Sequence, residues 1–477
     1  MSGFQNMRNK YWNLSEEVKA TIWYTICSVL IKAISLITVP LFTRILSEAE
    51  YGFVSVYNGW KEIFIIFGTL NLYYAAYNNA LVKYKEDVDG YTSTMIVLID
   101  IISTFYALFY FLNKDFWDSF LGTNSVVMST IFLTLFTFPA YNFWMAKQRF
   151  NFKYKKVVAV TLCASLASPV LSVVLIIFMD NNANAKIIGA EIPTIIIGLL
   201  FTVFFVKSGK KLFSKEYWRY GLGFTLPLIP HYLSGTVLNQ SDRIMISRLV
   251  SDNKAGIYSV AYSAAFTISI ITSAINNSLI PWMYKRLEAK DFFEIRRQTM
   301  RLLMLLAVIL LLFILVVPEI IFILAPESYR DATGILPVLV MSVFFQFLYG
   351  FFGTVEFYYE KPIYAMLASV VASASNVLLN WIFIPRIGYF AAGYTTLVCF
   401  VIMSICHYLF MKRVLKCNNI QASVFDFKKI VVISLGFILL GCFESVLYSN
   451  LFARYVLVII ILVVLYLNRS KIVGALR

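Results

Sequence analysis

The sequence predicts an all-α integral membrane protein with about fourteen transmembrane helices, on three observations. Of its 477 residues 60% are hydrophobic and only 14% charged, against about 25% charged in a soluble chain. The apolar residues gather in runs of about 20, the length that crosses hydrocarbon as a helix. The basic residues also sort by side. With the N-terminus inside, thirty of the 41 Lys and Arg fall on cytoplasmic connections, eight fall on outer ones, and Lys32, Lys61 and Arg243 lie within spans. This is the positive-inside pattern. The net charge of +15 is thus topological, and no basic module stands clear of the membrane to take nucleic acid.

Taken in order, the spans lie near residues 20–45, 52–80, 91–112, 121–146, 157–179, 186–206, 220–247, 255–284, 299–318, 333–358, 362–384, 391–411, 430–447 and 453–467. The first apolar run, about 25 residues, exceeds the 7–15 of a signal core and reads as a span. Between the ninth and tenth spans, Ile320–Ala325 reads as a re-entrant or interfacial piece. The six cysteines form no CxxC pair and sit mostly in apolar helices, as small hydrophobes. With only two histidines, His231 and His407, no metal centre and no cofactor is expected.

The chain repeats one bend. RILSEAEYGFVSV (Arg44–Val56) returns as RLVSDNKAGIYSV (Arg248–Val260), 204 residues on, with Arg, Ser, Gly, Ser and Val unchanged. Arg44 and Arg248 suit a helix C-terminus, where a cation meets the negative end of the dipole. Ser47 and Ser251 suit the N-cap of the next helix. Ser47 and Glu50 have capping-box spacing, which Lys254 breaks in the second copy. Gly52 and Gly256 allow the new helix to pack closely on a neighbour. ASPVL (Ala167–Leu171) likewise returns as ASNVL (Ala374–Leu378). Each unit then holds six helices, an even number, so both enter the membrane in the same sense as parallel repeats about an axis along the membrane normal. The predicted divisions are 1–218, 219–414 and a 415–477 segment of two added helices, with a cleft expected between the two bundles.

Polar residues inside the spans are candidates for function. Thr21, Thr25, Ser28, Lys32, Ser35 and Thr38 share one helical face. Lys32 lies roughly 18 Å along its helix, near the bilayer midplane. It reads either as an anion-binding residue or as half of a salt bridge. In the seventh span Tyr232, Thr236, Asn239 and Arg243 share a face, behind Pro227 and Pro230, which distort its first turns. Arg243 reads as a ligand-facing cation, with Asp242 beside it either neutralising it or pairing across helices. Lys61 shares a face with Gly68, Asn71 and Asn78. The corresponding later helix offers Tyr262, Ser269, Ser273 and Asn276. These faces suit hydrogen bonds to sugars or contacts between helices. Asp100, Glu191 and Asp242 are candidates for ion coupling, or structural partners for Lys32 and Lys61.

Two signals lead away from enzymatic chemistry. Asp87-Val-Asp89 has the DxD form of metal-binding glycosyltransferases, but it occupies a short turn, KYKEDVDG, with no domain around it. Gly209-Lys210 lacks the upstream glycine of a Walker A loop.

TVPLFTRILSEAEYG (Thr38–Gly52), LPLIP (Leu226–Pro230), NQSDRIMISRLV (Asn239–Val250), GIYSV (Gly256–Val260) and IPRIGYFAAGYTTL (Ile384–Leu397) together resemble polysaccharide-export flippases. These are the Wzx-type repeat-unit flippases of the multidrug/oligosaccharidyl-lipid/polysaccharide superfamily, and the likeness spans essentially the whole chain. The resemblance implies a MATE-like fold and a transporter rather than an enzyme. It implies an undecaprenyl-diphosphate-linked oligosaccharide as substrate, with membrane lipid and other polysaccharide-assembly proteins as partners. The product would be a surface glycan such as O-antigen (lipopolysaccharide), capsule or exopolysaccharide. The implied location is a bacterial inner membrane, crossed many times, with both termini cytoplasmic. An ion-coupled multidrug antiporter of the same fold is the alternative. A membrane glycosyltransferase is disfavoured by the short loops.

Overall fold

The computed structural model describes residues 14–467. The termini, whose cytoplasmic placement the sequence predicts, lie partly outside them. Among the described residues every regular element is a helix and none is a strand, as apolar runs that must satisfy their own backbone in lipid require. The helices are α1 Glu16–Ile45, α2 Glu48–Thr69, α3 Ala75–Lys83, α4 Val88–Phe111, α5 Lys114–Leu121, α6 Ser125–Phe150, α7 Tyr154–Phe178, α8 Asn182–Gly209 and α9 Lys215–Thr225. They continue as α10 Ile229–Leu249, α11 Asp252–Thr267, α12 Ser269–Glu288, α13 Phe292–Leu315, α14 Val317–Leu324, α15 Ala332–Tyr358, α16 Pro362–Ile387, α17 Phe390–Cys417, α18 Phe427–Val446 and α19 Leu451–Leu467.

Eleven of the fourteen expected spans have a helix long and apolar enough to cross a membrane. Of the other three, α2 and α10 are long enough, at 22 and 21 residues, but too polar, and the third is too short. The second expected span breaks after α2, where Leu70 and Asn71 take left-handed backbone, φ 49° and 51°. The seventh is interrupted by a 3₁₀ turn at Leu226–Leu228 around Pro227, as the two prolines predict. The last, α19, has 17 residues. The segment between the ninth and tenth spans forms α14, a short helix with Phe322 and Ile323 exposed.

The chain falls into two compact units, residues 1–38 with 53–233, and residues 39–52 with 234–477. In the first, α8 packs along both α6 and α7, and α4 against α6 and α8. Tyr77, Tyr91, Met95, Ile99, Phe143 and Phe205 are fully buried in its core. In the second, α15 is the central helix, with α11, α13, α17 and α18 packed round it. Its apolar residues face neighbours on every side, so it reads as apolar all round.

The repeated bend has the local form its residues dictate. The Ser47 N–H donates to Glu50 Oε2 at 2.8 Å and the Glu50 N–H to Ser47 Oγ at 3.3 Å, a complete capping box. In the second copy only the Lys254 N–H to Ser251 Oγ bond remains, at 3.3 Å. Arg44 donates to the carbonyl of Pro40 at 2.8 Å in the last turn of its own helix, and to that of Ile323 at 3.2 Å. The glycines pack on each other. A Cβ on Gly52 would stand 1.8 Å from the main-chain oxygen of Asp252, and one on Gly256 2.1 Å from that of Glu48. The 204-residue offset exchanges the two contacts, carrying Gly52 to Gly256 and Glu48 to Asp252. This is the reciprocity that an approximate two-fold axis between the bends requires.

Candidate functional site

A fully enclosed polar cluster is built on Asp242 in α10. Its carboxylate is fully buried, 0% exposed. Tyr258 of α11 donates to Oδ2 at 2.5 Å and Thr396 of α17 at 2.6 Å, while Asn380 of α16 donates to Oδ1 at 2.6 Å. A second ring of hydrogen bonds holds these donors. Thr395 donates to Asn380 Oδ1, Asn380 also donates to Asn376 Oδ1 at 3.2 Å, and Ser241 donates to Asn376 Oδ1 at 2.8 Å. The spacing of Asn376 and Asn380, i and i+4, sets both on one face of α16. All three partners of the carboxylate are neutral, and no cation among the described residues pairs with it. Burying such a group costs several kcal/mol unless a proton or cation joins it.

Arg243 follows directly in the chain, yet its side chain turns elsewhere, because consecutive helical residues diverge by about 100°. It is 8% exposed. It donates to the main-chain oxygen of Asn239 at 2.9 Å and to Gln240 Oε1, and lies 4.3 Å over the ring of Tyr262. The hydroxyl of Tyr262 donates to Asn239 Oδ1 at 3.0 Å. Of the two expectations for Asp242, it pairs across helices and does not neutralise Arg243: the acid faces its ring of donors and the guanidinium meets a π face and amides. Asn276 is half-buried on α12. The chain is irregular near Ile268, between α11 and α12, so Asn276 and Tyr262 do not share one regular helix face.

The first unit treats its candidates differently. Lys32 is exposed on α1, and no carboxylate among the described residues pairs with it. Lys61 meets Glu191 at 2.5 Å, a carboxylate that also accepts from Thr134 at 3.3 Å. Lys61 and Glu191 thus pair with each other, the structural alternative the sequence offered for the acid. Asn71 is corrected in placement. The left-handed turn takes it off the Lys61 face, and its Oδ1 accepts from Tyr73 at 3.1 Å. Asp100 is half-buried on α4, and its Oδ1 finds no hydrogen-bond partner among the described residues.

The DxD pair is bound up in ion pairs: Lys211 and Tyr217 donate to Asp87, the latter at 2.8 Å, and Lys147 donates to Asp89 at 2.5 Å. Partial burial pushes the Asp87 carboxyl up, but the hydrogen bonds from Lys211 and Tyr217 outweigh it and hold it below the usual range. A depressed carboxyl stabilises the fold above its unfolded value, about 3.9, and that contribution is lost as pH falls through the folded value. Lys211→Gln is therefore expected to lower the melting temperature at pH 7, by the equivalent of about 0.2–1 kcal/mol for so exposed a pair. The difference from wild type should shrink as pH falls below the unfolded value and vanish once Asp87 is protonated in the folded protein, as thermal unfolding across an acid pH series would show.

Sequence reasoning reached Asp242 and Arg243 but missed their surroundings. Asn376, Asn380, Thr395, Thr396 and Tyr258 were legible only as polar residues in apolar helices. A buried pair, His407 Nδ1 with Glu356 Oε2 at 3.0 Å, was missed as well.

Comparison with known proteins agrees with this architecture. Residues 18–287, more than half the chain, match the family model described as polysaccharide biosynthesis protein. Residues 227–382 match the MatE model. The chain is 24% identical over 393 residues to the Lsg locus putative protein 1 of Haemophilus influenzae, covering 78% of this chain and 93% of that one. Its fold matches that of the lipid II flippase MurJ in an inward closed conformation, with a TM-score of 0.67 at 14% identity, over 94% of this chain and 100% of that. It also matches an inward-facing multidrug resistance MATE family transporter of the MOP superfamily, with a TM-score of 0.56 at 12% identity, over 82% and 100%. A MATE-like helical membrane protein in fold, the chain belongs to the polysaccharide biosynthesis protein family.

Proposed function

We propose that the protein is a flippase that moves an undecaprenyl-diphosphate-linked oligosaccharide from the inner to the outer leaflet of a bacterial inner membrane, by alternating access. The observation that carries this reading is Arg243, a guanidinium at membrane depth that rests on an aromatic ring and amides, with no carboxylate among the described residues paired to it. A diphosphate will not cross hydrocarbon alone, and fixed cations are its natural counter-charge. Lys32 is the second candidate, with Asn239 and Asn276 as hydrogen-bonding side chains for the sugars. Membership in the polysaccharide biosynthesis family and the likeness to a lipid II flippase support the same substrate class.

Asp242 is the coupling candidate. A proton or small monovalent cation taken up there would cancel the buried charge, with oxygens of Asn376, Asn380 and Thr396 close by to share it. Asp100, with one carboxylate oxygen unpartnered, is the coupling candidate of the first unit.

Lys32→Ala and Arg243→Ala are each expected to reduce surface glycan and to accumulate lipid-linked repeat units at the inner face, with protein levels unchanged. A charge-assisted hydrogen bond contributes about 1.5–3 kcal/mol, so export should fall roughly ten- to hundredfold. Glycan display at wild-type rate in both variants would remove the anion-binding reading. The MatE match over residues 227–382 favours a second reading, an ion-coupled multidrug antiporter. Under that reading cells lacking the protein would become drug-sensitive while their glycan stayed intact.

A further inference from the structure

At the end of α17 that the sequence places inside, the connection to α18 forms a cavity of about 860 Å³ lined by Lys412, Arg413 and Lys416. All three cations are exposed, and none of the residues lining the cavity is acidic. No carboxylate among the described residues pairs with any of them. The back wall is fixed rather than loose. Val424 and Phe425 are buried to 1% and 2% exposure, with Phe425 edge-on to Phe352 at 5.3 Å. The Ile420 N–H closes on Leu415 O at 2.9 Å, and Arg296, in the second turn of α13, donates to Ser423 O at 2.8 Å. Tyr408 and Phe427 stack at 4.3 Å beside the cations. Aromatic rings flanking cations at a span end are the chemistry of the headgroup layer.

Positive-inside topology accounts for basic residues at this end but not for their convergence on one walled cavity. We propose that this cavity binds the phosphodiester headgroup of an anionic phospholipid of the inner leaflet. The three cations supply the charge, and the apolar wall of Met411, Leu415 and Phe425 accommodates the glycerol and first acyl carbons. The site is separate from Asp242 and Arg243 and does not depend on the flippase reading.

The test is native mass spectrometry of the full-length protein in detergent, titrated with phosphatidylglycerol, phosphatidylcholine or inorganic phosphate. Wild type should bind phosphatidylglycerol in preference to phosphatidylcholine. Lys412→Gln, Arg413→Gln and Lys416→Gln combined should weaken that binding about a hundredfold, since each cation near an anionic surface is worth about a factor of five. Lys412→Gln and Lys416→Gln alone should each cost about fivefold, which keeps the test open if the triple variant does not fold. An equal loss of charge elsewhere, Lys153→Gln, Lys155→Gln and Lys156→Gln combined, should leave the binding as in wild type. Equal weakening by both triple variants would overturn the site, and inorganic phosphate binding as tightly as phosphatidylglycerol would overturn the lipid.

Discussion

Gly52→Ala is expected to cost the protein most of its folded yield, and Gly256→Ala nearly as much. A Cβ on Gly52 would lie 1.8 Å from the carbonyl oxygen of Asp252, and one on Gly256 2.1 Å from that of Glu48. Both obstacles are main chain inside helices α11 and α2, so no rotamer change can relieve them. The helices must separate, which opens the buried contact between the two bends. Overpacking typically costs about 1–3 kcal/mol, and a rigid carbonyl puts these sites at the upper end of that range. Alanine gains back at most about 1 kcal/mol of helix propensity. Gly223→Ala and Gly235→Ala are the controls. A Cβ at either position would meet no atom within 4 Å, so these should be neutral or slightly stabilising. Melting temperature and monodisperse yield in detergent read the difference; a normal melt for Gly52→Ala would mean that the bends do not touch.

Asp242→Ala and Asp242→Asn are expected to separate stability from transport. Alanine removes the acceptor of three buried hydrogen bonds, from Tyr258, Asn380 and Thr396. Each orphaned donor costs about 1–3 kcal/mol, so Asp242→Ala should be poorly folded. Asparagine keeps the volume, and the hydroxyls of Tyr258 and Thr396 can rotate to meet its amide. It leaves the site unable to carry a negative charge. Asp242→Asn should therefore melt near the wild-type temperature and yet display almost no surface glycan. Well-folded Asp242→Asn that exports normally would exclude this acid from coupling and leave it as a purely structural hub.

Much of the fold was legible because it depends on local or compositional chemistry. Capping at Ser47 and Ser251 needs only residues three positions apart, and the structure has the bonds those spacings imply. The prolines at 227 and 230 foretold the interruption of the seventh span. The break after Thr69 was not foretold, because neither Leu70 nor Asn71 announces left-handed backbone in the way glycine does. Lys61 was identifiable as an intramembrane cation, but its neutralising partner, Glu191, lies 130 residues away. The pairing depends on how α2 packs against α8, which no periodicity along either helix encodes.

The sequence by itself determined the solvent, the helical secondary structure and the duplicated bend. Those follow from hydrocarbon thickness, from backbone groups that lipid cannot satisfy, and from side chains that cap their own helix. Only the tertiary structure decided which polar groups meet. Asp242 and Arg243 are neighbours in the chain, but the helical rotation between them sends one into a ring of donors from three other helices and the other onto an aromatic face. Such meetings join residues up to 154 positions apart, and packing in three dimensions alone fixes them.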